Sequence, residues 1–157
     1  MDITTQPLTK EAFAPFGDVI DVPQEIGRTY YESALGSLRD KAYPSLSVSL
    51  KPDTPDRPLQ AKYLERHEFS SQTFMPLDVS RYLVIVAPHR TDGVPDVTKA
   101  KAFIATGKQG ITYKPNIWHY GLTVLDRPGQ FAVFMFRDGS KTDEEFVDVS
   151  PFTVHIP

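Results

Sequence analysis

Two short stretches of the chain hold the side chains best suited to chemistry. The first is Ala61–Phe74, AKYLERHEFSSQTF, which contains Glu65, His67 and, after a turn-like Ser70–Ser71, Gln72. Side chains of an extended strand alternate between faces, so Glu65 and His67 share one side and Arg66 takes the other. Hairpin geometry can then return Gln72 to the same neighbourhood. The second stretch is Gly110–His119, GITYKPNIWH, which gathers Tyr113, Asn116, Trp118 and His119 where a strand begins. Imidazoles titrate near neutrality, so His67 and His119 can move a proton or ligate a divalent metal. Tyr113 and Trp118 can wall a pocket around them. Blander readings stand beside these. Glu65 to Glu68 also fits a solvated strand edge with Glu–Arg pairing, and His119 could be satisfied by backbone beside a Trp capping a barrel end. Arg137, Asp138, Ser140, Lys141 and Asp143 form either a charged rim to a pocket or a solvated loop after a strand. His89 and His155 read as structural or solvated.

Several chemistries are excluded by what is missing. Cysteine is absent, which removes disulfides, thiolate metal sites and Cys nucleophiles together. No serine sits in a nucleophile-elbow pattern. Gly107-Lys108-Gln109-Gly110 lacks the Lys-Ser/Thr ending of a phosphate loop and leads into a strand, so it reads as a hairpin turn. Lys plus Arg number 17 against 20 Asp plus Glu, a formal charge of −3 without a basic cluster, which disfavours nucleic acid as a partner. The longest apolar run, Tyr82–Pro88, is far short of the roughly 20 residues of a membrane-spanning helix. Met1–Pro7 lacks the basic and apolar regions of a secretory signal, so no membrane partner and a cytoplasmic location are expected.

The elements that must position these side chains are strands. Nine Gly and 14 Pro recur at short intervals through 157 residues and punctuate many short runs rich in β formers. Such runs occupy Ser45–Leu50, Gln72–Leu77, Arg81–Ala87, Ala102–Thr106, Gly110–Tyr113, Trp118–Leu125 and Gln130–Arg137. About ten to twelve strands are expected. Helix is confined to Thr9–Phe16, where Thr9 can cap, and to a single turn around Asp96–Lys101. Pro52–Pro58 reads as a surface loop rather than a linker. The expectation is one all-β domain over residues 1–157, a closed barrel or double-sheet jelly roll.

The order Glu65-x-His67-x4-Gln72 followed by His119 resembles the two metal-binding motifs of cupins, with Glu in place of the first His and Gln in place of the Glu. More closely, the chain resembles the ureidoglycolate lyase family over almost its whole length. The matching stretches are Pro7-Leu8-x-x-Glu11-Ala12-Phe13, Gly17–Ile20, Leu64–His67 with Gln72-x-Phe74-x-Pro76, Val84–Ala87, Ala102–Ile104, Gly107-x-Gln109-Gly110-x-x-Tyr113-x-x-Asn116-x-Trp118-His119, and Arg137-x-Gly139-Ser140. The resemblance implies a cupin-like β-barrel, a homodimer, and cleavage of (S)-ureidoglycolate to glyoxylate and urea in allantoin breakdown. It points to His67 and His119 as acid/base residues and to Gln72, Tyr113, Asn116, Trp118 and Arg137 as substrate contacts. A divalent ion such as nickel would be held by Glu65, His67, Gln72 and His119. Gln72 removes one anionic ligand, so that ion is expected to be weakly held or dispensable. Two other readings are a metal-dependent cupin oxygenase or isomerase, and a non-catalytic cupin module that binds a small carboxylic acid.

Overall fold

The computed structural model describes residues 1–157 and is built almost wholly of strands. In chain order these are β1 (Asp2–Thr4), β2 (Gln6–Pro7), β3 (Gly17–Asp21), β4 (Tyr43–Lys51), β5 (Leu59–Arg66), β6 (Gln72–Asp78), β7 (Arg81–Ala87), β8 (Lys101–Thr106), β9 (Gln109–Tyr113), β10 (Trp118–His119), β11 (Thr123–Leu125), β12 (Gly129–Arg137) and β13 (Glu145–His155). The expected all-β architecture is therefore observed. The one α-helix, α1 (Lys10–Phe13), starts where Thr9 Oγ1 accepts the N–H of Ala12 at 3.2 Å, and no helix is long and apolar enough to cross a membrane. Asp96 caps a 3-10 turn at Val97–Lys99, and Ser140 caps another at Lys141–Asp143.

The strands form two sheets. One runs β1-β13-β5-β10-β7-β8-β2 with β11 also on β7; the other runs β3-β9-β6-β12-β4. β1 and β2 lie at opposite edges of the first sheet yet only Thr5 separates them, so that sheet must curl nearly into a closed barrel. β7 explains its own composition, RYLVIVA. Tyr82, Val84 and Val86 face the core between the sheets, with Phe13, Val19, Phe74, Phe103, Ile111 and Phe131. Leu83 and Ile85 face the other way, into a second cluster with Leu59, Ala61, Phe152 and Val154. A strand buried on both faces reads as a continuous apolar run.

Three local expectations are changed by the fold, and a fourth feature, the facing of β4, is decided by it. Gly107 turns the chain from one sheet to the other and not within a hairpin, because β9 pairs with β3 and β6, not with β8. A Cβ at Gly107 would lie 1.9 Å from Val79 O, so only glycine permits this approach. Trp118–Leu125 is two strands, since 119 to 123 on this side opposes 86 to 83 on β7, leaving one residue too many for a continuous ladder. β5 and β6 do not form a hairpin; they lie in different sheets, and Gln72 returns across the gap between them. Finally, β4 turns Leu46, Val48 and Leu50 outward, at 72%, 69% and 69% exposed, while Ser45 and Ser47 line a cavity.

Candidate active site

Two rows of paired residues bring the site together. Across the second sheet, Gly17, Tyr113, Gln72, Met135 and Ser45 lie in register on neighbouring strands. Across the first, Val86, His119, Glu65 and Phe146 do the same. Strand pairing thus sets His119 directly beside Glu65, and the facing of the sheets sets Tyr113 against His119. Their rings stack at 4.2 Å with an interplanar angle of 17°. His67 lies one residue beyond the end of β5, and its ring comes to 5.5 Å from that of His119.

Both histidines are buried and both are oriented by a backbone carbonyl. His67 Nδ1 lies 2.8 Å from Asp143 O, and His119 Nδ1 lies 2.9 Å from Ile117 O. A carbonyl only accepts, so each Nδ1 carries a proton, which leaves Nε2 of His67 to present a lone pair and turns Nε2 of His119 toward Glu65. Those Nε2 atoms, with Gln72 Oε1 and Tyr113 Oη, are buried polar atoms without a hydrogen-bond partner. Such atoms are rarely left unpaired in a protein, and here they come from the two facing rows and His67, which marks a place prepared for a ligand.

Electrostatics sharpen this picture. Burial and the neighbouring His119 lower the pKa of His67, against the opposing influence of the Asp143 carbonyl, so its imidazole is held neutral. Burial alone would raise Glu65, but the neighbouring His119, chiefly through its hydrogen bond, outweighs it and lowers the pKa, so the carboxyl stays ionised. Glu144 is raised, by partial burial and then by the charge of Glu65. Burial pushes the Tyr113 hydroxyl well up, with Tyr82 and Glu65 adding to it, so it remains a neutral donor.

The same residues suit a divalent metal. One ligand atom each from Glu65, His67 and His119 lies within 4.8 Å of the others. His119 Nε2 and Glu65 Oε1 are 3.5 Å apart, a geometry in which the two can share a proton or a metal ion between them. Ligand atoms about 2.1 Å from a tetrahedral ion are separated by roughly 3.4 Å, and each histidine has its far nitrogen fixed, as metal ligands do. The cluster can hold an ion, and equally a proton.

A cavity of about 450 Å³ opens from this centre. His67 and Gln72 lie on its wall, with Ser45 and Ser47 from β4 and Val133 and Met135 from β12. Arg137, Lys141 and Glu144 line the same cavity, which makes the Arg137–Glu144 loop its rim. Of Arg66, Lys114 and Arg137, each able to bind a substrate carboxylate, only Arg137 lines this cavity. Arg66 is turned away over the Trp118 ring at 4.5 Å, and Lys114 Nζ donates to Ala14 O at 2.8 Å.

Tyr113 and His119 are buried behind His67 and Gln72 and do not themselves line the cavity, and two further expected contacts are turned away from it. Trp118 points to the opposite side of β10 from His119, packs with Leu64 and Ala87, and donates from Nε1 to Gly93 O at 3.1 Å. Asn116 occupies a left-handed turn at φ 69°, donates its N–H to His67 O at 2.9 Å and accepts from Arg66 at Oδ1. Period-2 alternation separates Trp118 from its neighbour His119. His89 bonds backbone carbonyls and His155 pairs with Asp2 at the surface, as expected of structural histidines. Glu144, Ser45 and Ser47 were missed. A serine at every second position of β4 was the available signal; nothing local marks Glu144.

Fold and site together define an enzyme-like β-barrel with a neutral histidine, a histidine–carboxylate pair and a cationic rim around one pocket. The ureidoglycolate lyase family model matches residues 1–155. A ureidoglycolate lyase of Mesorhizobium japonicum is 37% identical over 99% of this chain and 98% of its own, and one of Schizosaccharomyces pombe is 32% identical over 90% and 88%. A dTDP sugar isomerase from Desulfovibrio desulfuricans overlays 84% of this chain and 82% of its own at TM-score 0.47 and 17% identity. The chain belongs to the ureidoglycolate lyase family.

Proposed function

We propose that residues 1–157 act as a single ureidoglycolate lyase domain, cleaving (S)-ureidoglycolate to glyoxylate and urea. The observation that carries this is the convergence of His67 and His119, rings 5.5 Å apart, with His67 on the wall of the cavity. The substrate bears a hydroxyl, a carboxylate and a ureido nitrogen on one carbon. Cleavage moves one proton from that hydroxyl to the nitrogen as the carbonyl forms and the carbon–nitrogen bond breaks, so neither nucleophile nor oxidant is needed.

The residues divide this work by their environments. His67, neutral with its Nε2 lone pair free, takes the hydroxyl proton. His119, whose Nε2 faces Glu65, is placed to hold a proton between them and release it to departing urea. Arg137 receives the carboxylate at the cavity rim, where a guanidinium can bind it bidentately. Gln72 and the neutral Tyr113 hydroxyl offer polar contacts to the ureido group. Glu65, His67 and His119, with Gln72, would hold a divalent ion such as nickel, which when bound supplies Lewis-acid polarisation of the hydroxyl. With a neutral carboxamide among the ligands, that ion is weakly held or dispensable.

A cytoplasmic homodimer is part of the same proposal. The outward row Leu46, Val48 and Leu50 lies on an edge strand beside Phe134 and Phe136 of β12, and a bare apolar edge of this length needs a cover. Incubation with racemic ureidoglycolate tests the activity. Release of glyoxylate and urea from one enantiomer is expected; ammonia as the first nitrogen product, or saturable binding without turnover, would overturn the reading.

A further inference from the structure

Residues 22–42 contain almost no regular structure, and the chemistry above makes no use of them. Yet Gly36–Arg39 is firmly attached to the turn that follows His67. Leu38 N–H donates to Phe69 O at 2.7 Å, Ser71 N–H to Gly36 O at 2.9 Å, and Gly36 N–H to Ser71 Oγ at 3.0 Å. This attachment delivers Arg39. Its guanidinium lies 4.6 Å over the Phe69 ring, pairs with Asp138, reaches Asp143 Oδ1 at 3.5 Å and donates to Thr142 Oγ1 at 3.0 Å. Every polar partner of that guanidinium therefore belongs to the loop between β12 and β13.

Asp143 is the centre of that loop. Its carboxylate accepts the N–H groups of Asp138 at 3.1 Å and Gly139 at 2.8 Å, and its Oδ2 lies 3.7 Å from Arg137 Nε. Its own carbonyl accepts from His67 Nδ1 at 2.8 Å. One buried residue thus meets the proton acceptor through its backbone and the rim cation through its side chain.

We propose that Asp143, clasped by Arg39, is a positioning residue for this site, fixing the tautomer of His67 and the aim of Arg137 together. The proposal rests on the lyase reading given above. A neutral imidazole can carry its proton on either nitrogen. Only the Nδ1–H form leaves Nε2 free to accept a proton, and the Asp143 carbonyl selects that form. Loosening the loop therefore acts on kcat through His67 and on KM through Arg137. A residue that merely held the fold together would lower stability without altering either His67 or substrate affinity.

The test uses Asp143→Asn, which keeps shape and removes charge, and Arg39→Lys, which keeps charge and lies outside the cavity. Outer partners of functional histidines are worth roughly 10–100-fold. For Asp143→Asn, kcat/KM should fall by about that factor, with kcat reduced and KM raised, and the ¹⁵N spectrum of substrate-free enzyme should show His67 acquiring the Nε2–H form. Arg39→Lys should shift both readouts in the same direction, by about tenfold or less in kcat/KM, and it decides the matter alone if Asp143→Asn does not fold. Folded variants with wild-type KM and His67 still wholly Nδ1–H would overturn the clasp. Absence of turnover in the wild-type enzyme would overturn the lyase reading instead, and the tautomer measurement would still judge Asp143.

Discussion

Replacing His119 by alanine separates its two roles, holding a proton and compensating a buried charge. The Glu65 side chain is only 14% exposed, and the His119 imidazole lies 3.5 Å from it. Removing one partner of a buried pair typically costs about 3–5 kcal/mol. The long separation and the remaining exposure put this case at or just below the lower end, about 2–3 kcal/mol. For a chain of this length that lowers the melting temperature by roughly 4–12 °C. Adding Glu65→Gln removes the stranded charge and should recover about 1–2 kcal/mol, so the two costs do not add. Turnover should fall by about 10²–10⁴-fold in His119→Ala, about 3–5 kcal/mol of barrier, and little further in the double variant, because the pair acts as a unit. Calorimetry across the four members of the cycle, with glyoxylate and urea release measured in parallel, gives both quantities. Additive losses of stability, or turnover in His119→Ala within about tenfold of wild type, would refute the pairing.

Other consequences can be checked independently. Arg137→Ala should raise KM by about 10–100-fold while changing kcat less, because it removes a charge-assisted contact made by bound substrate; an unchanged KM in steady-state kinetics would exclude it as the carboxylate site. Gln72→Glu supplies the missing anionic ligand and should increase divalent metal retained after dialysis by about tenfold or more, read by elemental analysis. Leu46→Glu with Val48→Lys should convert a dimer to monomer in analytical ultracentrifugation, and an unaltered dimer would move the interface elsewhere. Asp126, 30% exposed, is held far below the usual carboxylate range by hydrogen bonds from Arg81 and then Arg57. Its depressed pKa contributes stability at neutral pH that is lost as pH falls below about 4. Asp126→Ala should therefore cost about 1 kcal/mol at pH 7 after solvent screening, and the difference from wild type should shrink on acidification. A difference independent of pH in thermal melts would contradict this.

Much of the site could be read locally because alternation is a local property. Glu65 and Arg66 take opposite faces of β5, and Arg66 is accordingly turned to Trp118 while Glu65 meets His119. The same rule separates Trp118 from His119 and turns Trp118 away from the pocket, to Leu64 and Ala87. Arg137 was legible as the last residue of an apolar strand leading into a polar loop. Asp143 was legible only as one member of a charged rim, and Glu144 not at all. Their place follows from a 3-10 turn folding back over His67, 76 residues away in sequence, and from Arg39 arriving on an irregular segment. The outward apolar row of β4 was likewise invisible, since SLSVSL alternates equally well whichever face is buried.

By itself the sequence determined which chemistry was available. Histidines, carboxylates and a carboxamide stand at strand spacing, no cysteine or activated serine competes with them, and Gly and Pro divide the chain into the short strands of a closed barrel or double-sheet jelly roll. Tertiary structure decided which of those groups meet. Register set His119 beside Glu65 and Gln72 beside Tyr113, and the facing of two sheets joined the two rows. Which face of a strand lies inward is a choice between two equivalent local patterns, and it is made by distant strands that bury one face and leave the other to solvent or a partner.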